Sequence, residues 1–189
     1  VVSEMLMGLE KSNPDVVYHS GVEVISRKQK KDNKVGLVSG GGSGHEPAHA
    51  GYVGYGMLDA AVSGNVFASP SPDRILKGIQ EADSGAGVLL VIKNYSGDIM
   101  NFNMAKDLAE MEEIKVETVV VKDDVAVEES TYSTGRRGIV GTVFVHKIAG
   151  AKAEKGASLQ EVKEVAEKTI KNVRSMGMAM KPCILPAVG

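Results

Sequence analysis

Apolar residues along the chain follow two alternating patterns. Short continuous apolar runs alternate with stretches whose apolar positions repeat about every 3.6 residues. This alternation is typical of an α/β protein, in which helices cover both faces of a mostly parallel, or mixed, sheet. The predicted buried strands are 35–38, 60–63, 88–92 and 116–121.

Helix start signals follow several of these strands. Ser71, Pro72 and Asp73 supply an N-cap, a proline at the first helical position and an acid in the first turn. Ser158 and Glu161 form a capping box ahead of an apolar face. Because there is no internal repeat or linker, the 189-residue chain is predicted to form one α/β domain. The other predicted helices are 2–10, 99–111 and 138–152.

The glycine-rich segment after the first predicted strand is the most informative part of the sequence. From Ser39 to His49 it reads Ser-Gly-Gly-Gly-Ser-Gly-His-Glu-Pro-Ala-His. Glycines let backbone N–H groups approach a ligand closely. The chain after Pro47 is expected to begin a helix whose positive end attracts ligand oxygens or a phosphoryl group. We therefore predict a loop that holds a small polar ligand.

Three familiar glycine motifs do not fit this segment. A P-loop needs a lysine directly after its last glycine, and none follows Gly44. The dinucleotide-binding pattern needs a third glycine where His45 stands, and a nucleophile elbow fails at the same residue. Binding of a nucleoside triphosphate by this loop is therefore not expected.

Composition excludes several classes of partner. The 22 basic and 24 acidic residues give a net charge of −2 without a basic stripe, and only 4% of residues are aromatic. Neither nucleic acid nor an anionic membrane surface is therefore a predicted partner. No apolar run approaches the roughly 20 residues that span a bilayer. We expect a cytoplasmic protein.

Cysteine and histidine usage bears on redox and metal chemistry. Cys183 has no second cysteine with which to form an internal disulfide, and it is predicted to be a core residue in a reducing compartment. His45 and His49 are four residues apart but lack the glutamate of the metalloprotease pair. No metal site is predicted in this chain.

Polar loops follow the four predicted strands. In an open α/β sheet, ligands bind outside the carboxyl ends of the strands, so these loops are expected to converge on one crevice. They would bring His45, Lys93, Asp98 and the pair Arg136-Arg137 to a floor of glycine backbone. Such groups suit proton transfer on a small polyol or ketose, where a general base contributes about 10²–10⁴-fold. The loops are 39–49, 63–71, 93–98 and 122–137.

Each of these residues also has a structural explanation. His45 could cap the next helix, and Asp98 could be the N-cap of the helix that follows it. Lys93 and the two arginines could be solvated charges. His49, expected one helical turn after His45, is expected to be a packing residue or to support the residues that contact the ligand. The remaining histidines carry no site signal, and among them His146 lies in a helical apolar pattern.

Five ordered motifs extend over most of positions 36–150. They are GGGSGHEP at 40–47, GYVGYGML at 51–58, FASPSPD at 67–73, KNYSGD at 93–98, and DDVA at 123–126 with GRRG at 135–138. Together they resemble the motifs of the dihydroxyacetone kinase family, specifically its dihydroxyacetone-binding K subunit or K domain. Five motifs in order are far more specific than any one of them.

The resemblance implies phosphorylation of dihydroxyacetone to dihydroxyacetone phosphate. His45 and Asp98 would be the catalytic residues: His45 would bond and polarise the ketose, and Asp98 would be the base on the hydroxyl that attacks phosphorus. Carried over by motif, the substrate-binding residues are Gly42, Ser43, Gly44, His45, Lys93 and Asp98.

The resemblance also implies partners. Nucleotide (ADP or ATP) and magnesium would belong to a separate L subunit or L domain, so no cofactor is expected in this chain. In the phosphotransferase-system branch, which we expect here, a multiphosphoryl protein rephosphorylates ADP on the L subunit, whereas the other branch consumes ATP. Because the donor site lies on the partner, residues of this chain do not choose between the branches. The family also implies a homodimer.

One departure from the family pattern changes the expected behaviour of the chain. Family members hold the ketose covalently through a histidine in a Gly-Ile-His-Gly-Glu-Pro-Gly type motif of a second domain, and this sequence contains no such segment. We expect the chain to correspond to the first domain, to bind substrate weakly by itself and to turn nothing over. One alternative is a regulatory paralogue that senses dihydroxyacetone and contacts a transcription factor. Another is an unrelated sugar-phosphate-binding α/β domain.

Overall fold

A computed structural model describes residues 1–127 and 135–185, and six strands within these ranges form one sheet. The strand order is β1-β2-β4-β3-β5-β6, with β3 to β6 parallel to one another and with β1 and β2 antiparallel to their neighbours. The predicted class, an α/β fold with a mostly parallel sheet, is confirmed. The strands are β1 (Val16–His19), β2 (Val24–Arg27), β3 (Gly36–Ser43), β4 (Ala60–Val66), β5 (Val88–Lys93) and β6 (Val116–Val121).

Helices cover both faces of this sheet because its central strands are apolar on both sides. In β5, Leu89 and Val91 belong to the core under α1, α4 and α5, whereas Leu90 and Ile92 belong to the core under α2 and α3. All four side chains are at most 1% exposed. The helices are α1 (Val2–Ser12), α2 (Pro72–Ala82), α3 (Ser96–Met111), α4 (Thr142–Glu154) and α5 (Leu159–Asn172).

The β1–β2 hairpin at one edge of the sheet has no counterpart in the sequence prediction. β1 buries only its first residue, Val16, and therefore lacks the continuous apolar run that marks the central strands. β2 joins the sheet through Val24, which lies opposite Val62 of β4. An edge strand with one buried face gives a weaker apolar signal than a strand that is buried on both faces.

β3 extends five residues beyond the predicted strand, so the prediction that a loop begins at position 39 is wrong. Gly40 lies opposite Val62 and Gly41 lies opposite Ser63 in the parallel ladder with β4. A Cβ atom at Gly40 would lie 2.4 Å from the carbonyl oxygen of Val62. The glycines are therefore strand residues at a place where two backbones approach more closely than side chains allow.

Three further expectations differ from the structure. The helix expected after Pro47 is replaced by turns and a single-turn 3-10 helix, Ala50–Tyr52, so no α-helix N-terminus is available there. α4 begins at Thr142 instead of position 138. Cys183 is exposed in the irregular segment after α5, so its assignment to the core is wrong. Within the described ranges, no helix is both long enough and apolar enough to cross a bilayer.

A buried cluster of charges joins β2, β4 and α4. Lys34 Nζ lies 2.6 Å from Asp59 Oδ2, which also accepts a hydrogen bond from the Leu37 N–H at 2.8 Å. Arg27 Nη1 donates to Asp59 Oδ1 at 3.1 Å and also to Glu154. Since Lys34 is only 3% exposed and Asp59 only 8%, removing one partner leaves a buried ion without full compensation.

We expect Asp59→Ala to lower the free energy of unfolding by about 3–5 kcal/mol, because the buried Lys34 ammonium loses its nearest carboxylate. Urea denaturation followed by circular dichroism measures this change. The matched control is Glu110→Ala, which removes a partly exposed ion pair with Lys106 on α3 and should change stability by no more than about 0.5 kcal/mol. Equal, small effects of the two substitutions would contradict the structural role of the cluster.

Candidate active site

A cavity of about 680 Å³ lies at the carboxyl ends of the parallel strands. Its walls come from the segments that follow β3, β4, β5 and β6, as the loop positions predicted. His45, Lys93 and Asp98 all line it, so the structure brings these three predicted residues together. This is the position in which open α/β sheets bind their ligands.

Lys93 is the last residue of β5 and occupies the centre of the site. It is 7% exposed, so the alternative of a solvated lysine is wrong. Its Nζ lies 3.0 Å from Nε2 of His45. An ammonium group only donates hydrogen bonds, so Nε2 of His45 accepts and the imidazole proton lies on Nδ1. As long as the His45 ring presents Nε2 to Lys93, this bond selects the tautomer protonated on Nδ1.

Asp98 lies in the first turn of α3, where the positive end of the helix favours a carboxylate. Tyr95 occupies the N-cap position and Asp98 lies three residues further along, inside the helix, so the N-cap explanation of Asp98 is wrong. The residue is 5% exposed and lines the cavity. A carboxylate in such a position needs a reason other than helix capping.

Desolvation shifts the pKa of Asp98, Lys93 and His45 toward their neutral forms, although only Asp98 and Lys93 are buried and His45 is an exposed residue. Burial raises the pKa of Asp98, opposed by the Ser69 hydroxyl and the Lys93 ammonium. Ser69 Oγ makes no hydrogen bond of standard geometry within the described residues, so we regard burial as the dominant cause. Burial lowers the pKa of Lys93, opposed by Asp98, and burial together with Lys93 lowers the pKa of His45, opposed by Glu46. The site therefore combines a neutral imidazole with an unusually basic carboxylate.

The floor of the cavity is bare main chain at the end of β3. Gly41 has φ +151°, and a Cβ atom there would lie 2.8 Å from Lys93 Nζ and 3.2 Å from Asp98 Oδ2. At Gly42, a Cβ atom would lie 2.6 Å from the backbone nitrogen of Ala68, so the chain after β4 packs directly on this glycine. Of these two glycines, Gly42 lines the cavity, whereas Gly41 lies beneath Lys93 and Asp98 without lining it.

Ser43 and Gly44 lie beside the cavity and are not among the residues that line it. The Ser43 hydroxyl donates to the carbonyl oxygen of Gly64 at 2.8 Å. Gly44 has φ +113°, and a Cβ atom there would lie 2.6 Å from the Phe67 ring. Both residues join β3 to the end of β4, while Phe67 itself lines the cavity.

The two arginines expected at the site do not line the cavity. Arg137 Nε and Nη2 donate to Asp124 Oδ2 at 2.8 and 2.6 Å. The carbonyl oxygen of Arg136 accepts from Asn94 Nδ2 at 2.7 Å. Residues 128–134 of the predicted loop lie outside the described residues. Arg137 is thus paired with the buried carboxylate of Asp124, and Arg136 Nε also donates to the carbonyl oxygen of Val127 at 3.3 Å.

Residues between 138 and 143 form a largely apolar wall of the cavity. The carboxylate of Asp123 holds this wall in place. Asp123 is 1% exposed and accepts the backbone N–H groups of Ile139 and Gly141, both at 2.8 Å. Gly138 packs on β5, since a Cβ atom there would lie 3.0 Å from the Cα atom of Lys93. This attachment explains why α4 begins later than predicted.

His146 was assigned no role by the sequence, yet it lies close to the site. It is fully buried in α4, and its Nε2 lies 3.1 Å from Nδ1 of His49, which lines the cavity. In the sequence, the feature that could have pointed to His146 was a histidine at an apolar position of a predicted helix. In residues 1–127 and 135–185, no group of three or more His, Cys, Asp or Glu side chains is arranged to hold a metal ion.

Comparison with known sequences identifies related proteins. A model of the Dak1 domain matches residues 7–189. The dihydroxyacetone-binding subunit DhaK of PTS-dependent dihydroxyacetone kinase 1 from Listeria innocua is 63% identical over 190 aligned positions, which cover 100% of this chain and 58% of that protein. The dihydroxyacetone-binding subunit DhaK of the PTS-dependent kinase from Lactococcus lactis is 58% identical, covering 100% of this chain and 57% of that protein.

Two solved structures share the fold. The dihydroxyacetone kinase from C. freundii in complex with AMP-PNP and Mg²⁺ superposes with a TM-score of 0.84 at 41% identity, covering 90% of this chain and 32% of that chain. The dihydroxyacetone kinase operon co-activator Dha-DhaQ superposes with a TM-score of 0.83 at 41% identity, covering 88% of this chain and 51% of that chain.

The extent of these matches supports a family assignment. The chain spans a little more than half the length of the two curated relatives, and the family model matches almost all of it. The chain belongs to the Dak1 domain family.

Proposed function

We propose that this chain is the substrate-binding part of a dihydroxyacetone kinase, in which dihydroxyacetone is phosphorylated to dihydroxyacetone phosphate. One observation carries the proposal: Lys93, His45 and Asp98 line a single cavity together with the backbone of Gly42. The names of the relatives at 63% and 58% identity support the same substrate. Both names include PTS dependence, which favours the phosphotransferase-system branch.

In this proposal the ketose lies against Gly42, and Gly41 holds Lys93 and Asp98 in place because a side chain there would collide with both. Lys93, which already donates one hydrogen bond to His45, has further N–H groups for the ketose carbonyl. His45, in the neighbouring wall of the cavity, forms a hydrogen bond with the ketose and polarises it. Asp98 accepts the proton of the hydroxyl that attacks phosphorus, and its raised pKa makes it a stronger base than an exposed aspartate.

The size of the cavity is consistent with a site that receives a second reactant. A triose has only six non-hydrogen atoms and fills a small part of about 680 Å³. Phosphoryl transfer depends mainly on positioning the attacking and leaving oxygens in line. In the proposal, an L subunit carrying the nucleotide and magnesium presents its phosphoryl group through the remaining space.

The assembly around this chain belongs to the same proposal. We infer that the chain corresponds to the first domain of the K subunit, that the K subunit is a cytoplasmic homodimer, and that a histidine of a second domain anchors the ketose covalently. The chain spans 58% of the length of the Listeria innocua relative, which leaves room for such a domain in a protein of that length. Without the anchor, binding is expected to be weak.

A regulatory function is the second candidate, and one observation bears on it. The co-activator structure has the same fold at 41% identity, so this fold alone does not identify a kinase. The two curated relatives are more similar in sequence, and both are named as kinase subunits. A sensor also has no need for a buried carboxylate of raised pKa beside its ligand.

Gly41→Ala should weaken binding of dihydroxyacetone by ~10-fold or more, because a methyl group would occupy the place between Lys93 and Asp98. Titration followed by ¹⁵N–¹H NMR of the 189-residue chain measures the dissociation constant even when it is millimolar. Gly8→Ala is the matched control, since a Cβ atom at Gly8 contacts nothing within 4 Å. Equal affinities of the two variants would argue against the glycine floor as the binding surface.

Asp98→Asn should lower the rate of phosphoryl transfer by about 10²–10⁴-fold with little change in ketose affinity, because it removes the base but keeps the shape. The assay uses the protein at the length of its relatives, a purified L subunit, and either the phosphoenolpyruvate-driven relay or ATP. Asp73→Asn, which changes an exposed acid in the first turn of α2, is the control. A wild-type protein that binds dihydroxyacetone but transfers no phosphoryl group from either donor would support the regulatory candidate.

Turnover should fall as the pH is lowered through the pKa of Asp98, because only the carboxylate accepts a proton. Since burial raises that pKa, the acid limb should lie above the pH expected for an exposed aspartate. The Lys93 ammonium opposes this rise, so the residual activity of Lys93→Met should show its acid limb at higher pH. Ser96→Ala, at the exposed start of α3, should leave the pH profile unchanged. An acid limb that is the same in all three proteins would assign it to another group.

A further inference from the structure

Two buried imidazoles behind the cavity are hydrogen-bonded to each other. His49, just before the 3-10 helix, is 6% exposed, and His146 in α4 has no exposed surface. His49 Nδ1 and His146 Nε2 are 3.1 Å apart, although the residues are 97 positions apart in the chain. This bond connects the segment after β3, which carries His45, to a helix on one face of the sheet.

The hydrogen bond between His49 and His146 leaves each ring with a second nitrogen that needs a partner of its own. A neutral imidazole has one N–H donor and one acceptor nitrogen, and the shared bond uses one donor and one acceptor. One donor and one acceptor are therefore left over, whichever ring donates. Neither His49 Nε2 nor His146 Nδ1 has a hydrogen-bond partner within residues 1–127 and 135–185. Buried groups of this kind destabilise a fold, so stability does not explain the pair.

The surroundings of the pair favour the neutral form of both imidazoles. Burial lowers the pKa of His146 to about 3, with a further contribution from Lys93. Burial, followed by the positive charges of His146, Lys93 and His45, lowers the pKa of His49 well below its usual value. The pair is therefore neutral near pH 7, and a cation would be repelled by Lys93.

The contact that the pair makes toward the site is with His45. The rings of His45 and His49 meet edge to face, with centroids 6.0 Å apart and an interplanar angle of 80°. On its other side, Nε2 of His45 lies 3.0 Å from Lys93 Nζ. His146 is in turn packed by Tyr52, whose ring centroid lies 6.2 Å away. The exposed His45 residue thus contacts both the Lys93 ammonium and the His49 ring of the pair.

We propose that His49 and His146 are positioning residues for His45, which hold its imidazole in the orientation in which Nε2 accepts a hydrogen bond from Lys93. An edge-to-face contact restricts rotation of the His45 ring. The bond to α4 restricts His49 in the same way. The role assigned to His45 in ketose binding rests on the proposed function, whereas its orientation and tautomer do not.

The test removes both imidazoles together, so that no unpaired nitrogen is introduced. In His49→Phe/His146→Leu we expect a melting temperature equal to or above that of the wild type, because the unsatisfied nitrogens are gone. We expect ¹H–¹⁵N NMR of His45 to change from one tautomer, protonated on Nδ1, to a mixture. Dihydroxyacetone should bind ~3- to 10-fold more weakly, a modest loss because no direct contact to the ketose is removed.

A second variant separates positioning from packing. His146→Gln keeps an amide group that can bond to His49 Nδ1, and it should keep the single tautomer of His45 and most of the affinity. The proposal is overturned if His49→Phe/His146→Leu retains the single His45 tautomer, whether or not this variant is destabilised. If the wild type binds no dihydroxyacetone, the proposed function fails, but the tautomer comparison still decides the positioning role.

Discussion

The close approach of main chain and side chain at Gly41 is the constraint on which the site depends. β3 ends in three glycines, and the space that their side chains would occupy holds the chain after β4, the Lys93 ammonium and the Asp98 carboxylate. Groups of opposite charge can therefore lie against one short piece of backbone in a buried cavity. A larger residue at this position would force one of these groups out of place.

This arrangement is costly for the fold, and the sheet supports it. Lys93, Asp98 and the His49–His146 pair are all buried, and burial disfavours the charged forms of the first two. Two apolar cores on either side of the sheet, in which β5 is buried on both faces, provide the opposing stabilisation. Functional sites commonly contain groups that a purely structural core would avoid.

Much of this could be predicted from the sequence where one physical effect dominates. The continuous apolar run of β5 identifies a central strand, and the parallel arrangement places the loops that follow β3 and β5 at one edge of the sheet, which brings His45, Lys93 and Asp98 together. The end of β3 could not be predicted, because glycine normally disfavours strands and only the neighbouring backbone of β4 explains it. The contact of His49 with His146 could not be predicted either, because neither local pattern contains information about the other segment.

The attachment of the apolar wall by Asp123 has a consequence for how a ligand is received. Two N–H groups of the wall are bonded to a single buried carboxylate, so that side of the cavity is ordered during folding and not when the ligand arrives. Ordering a loop upon association subtracts from affinity, and a wall that is already rigid avoids that loss. Preorganisation of this kind matters most for a guest as small as a triose, which offers few contacts to offset the entropy of closing a loop around it.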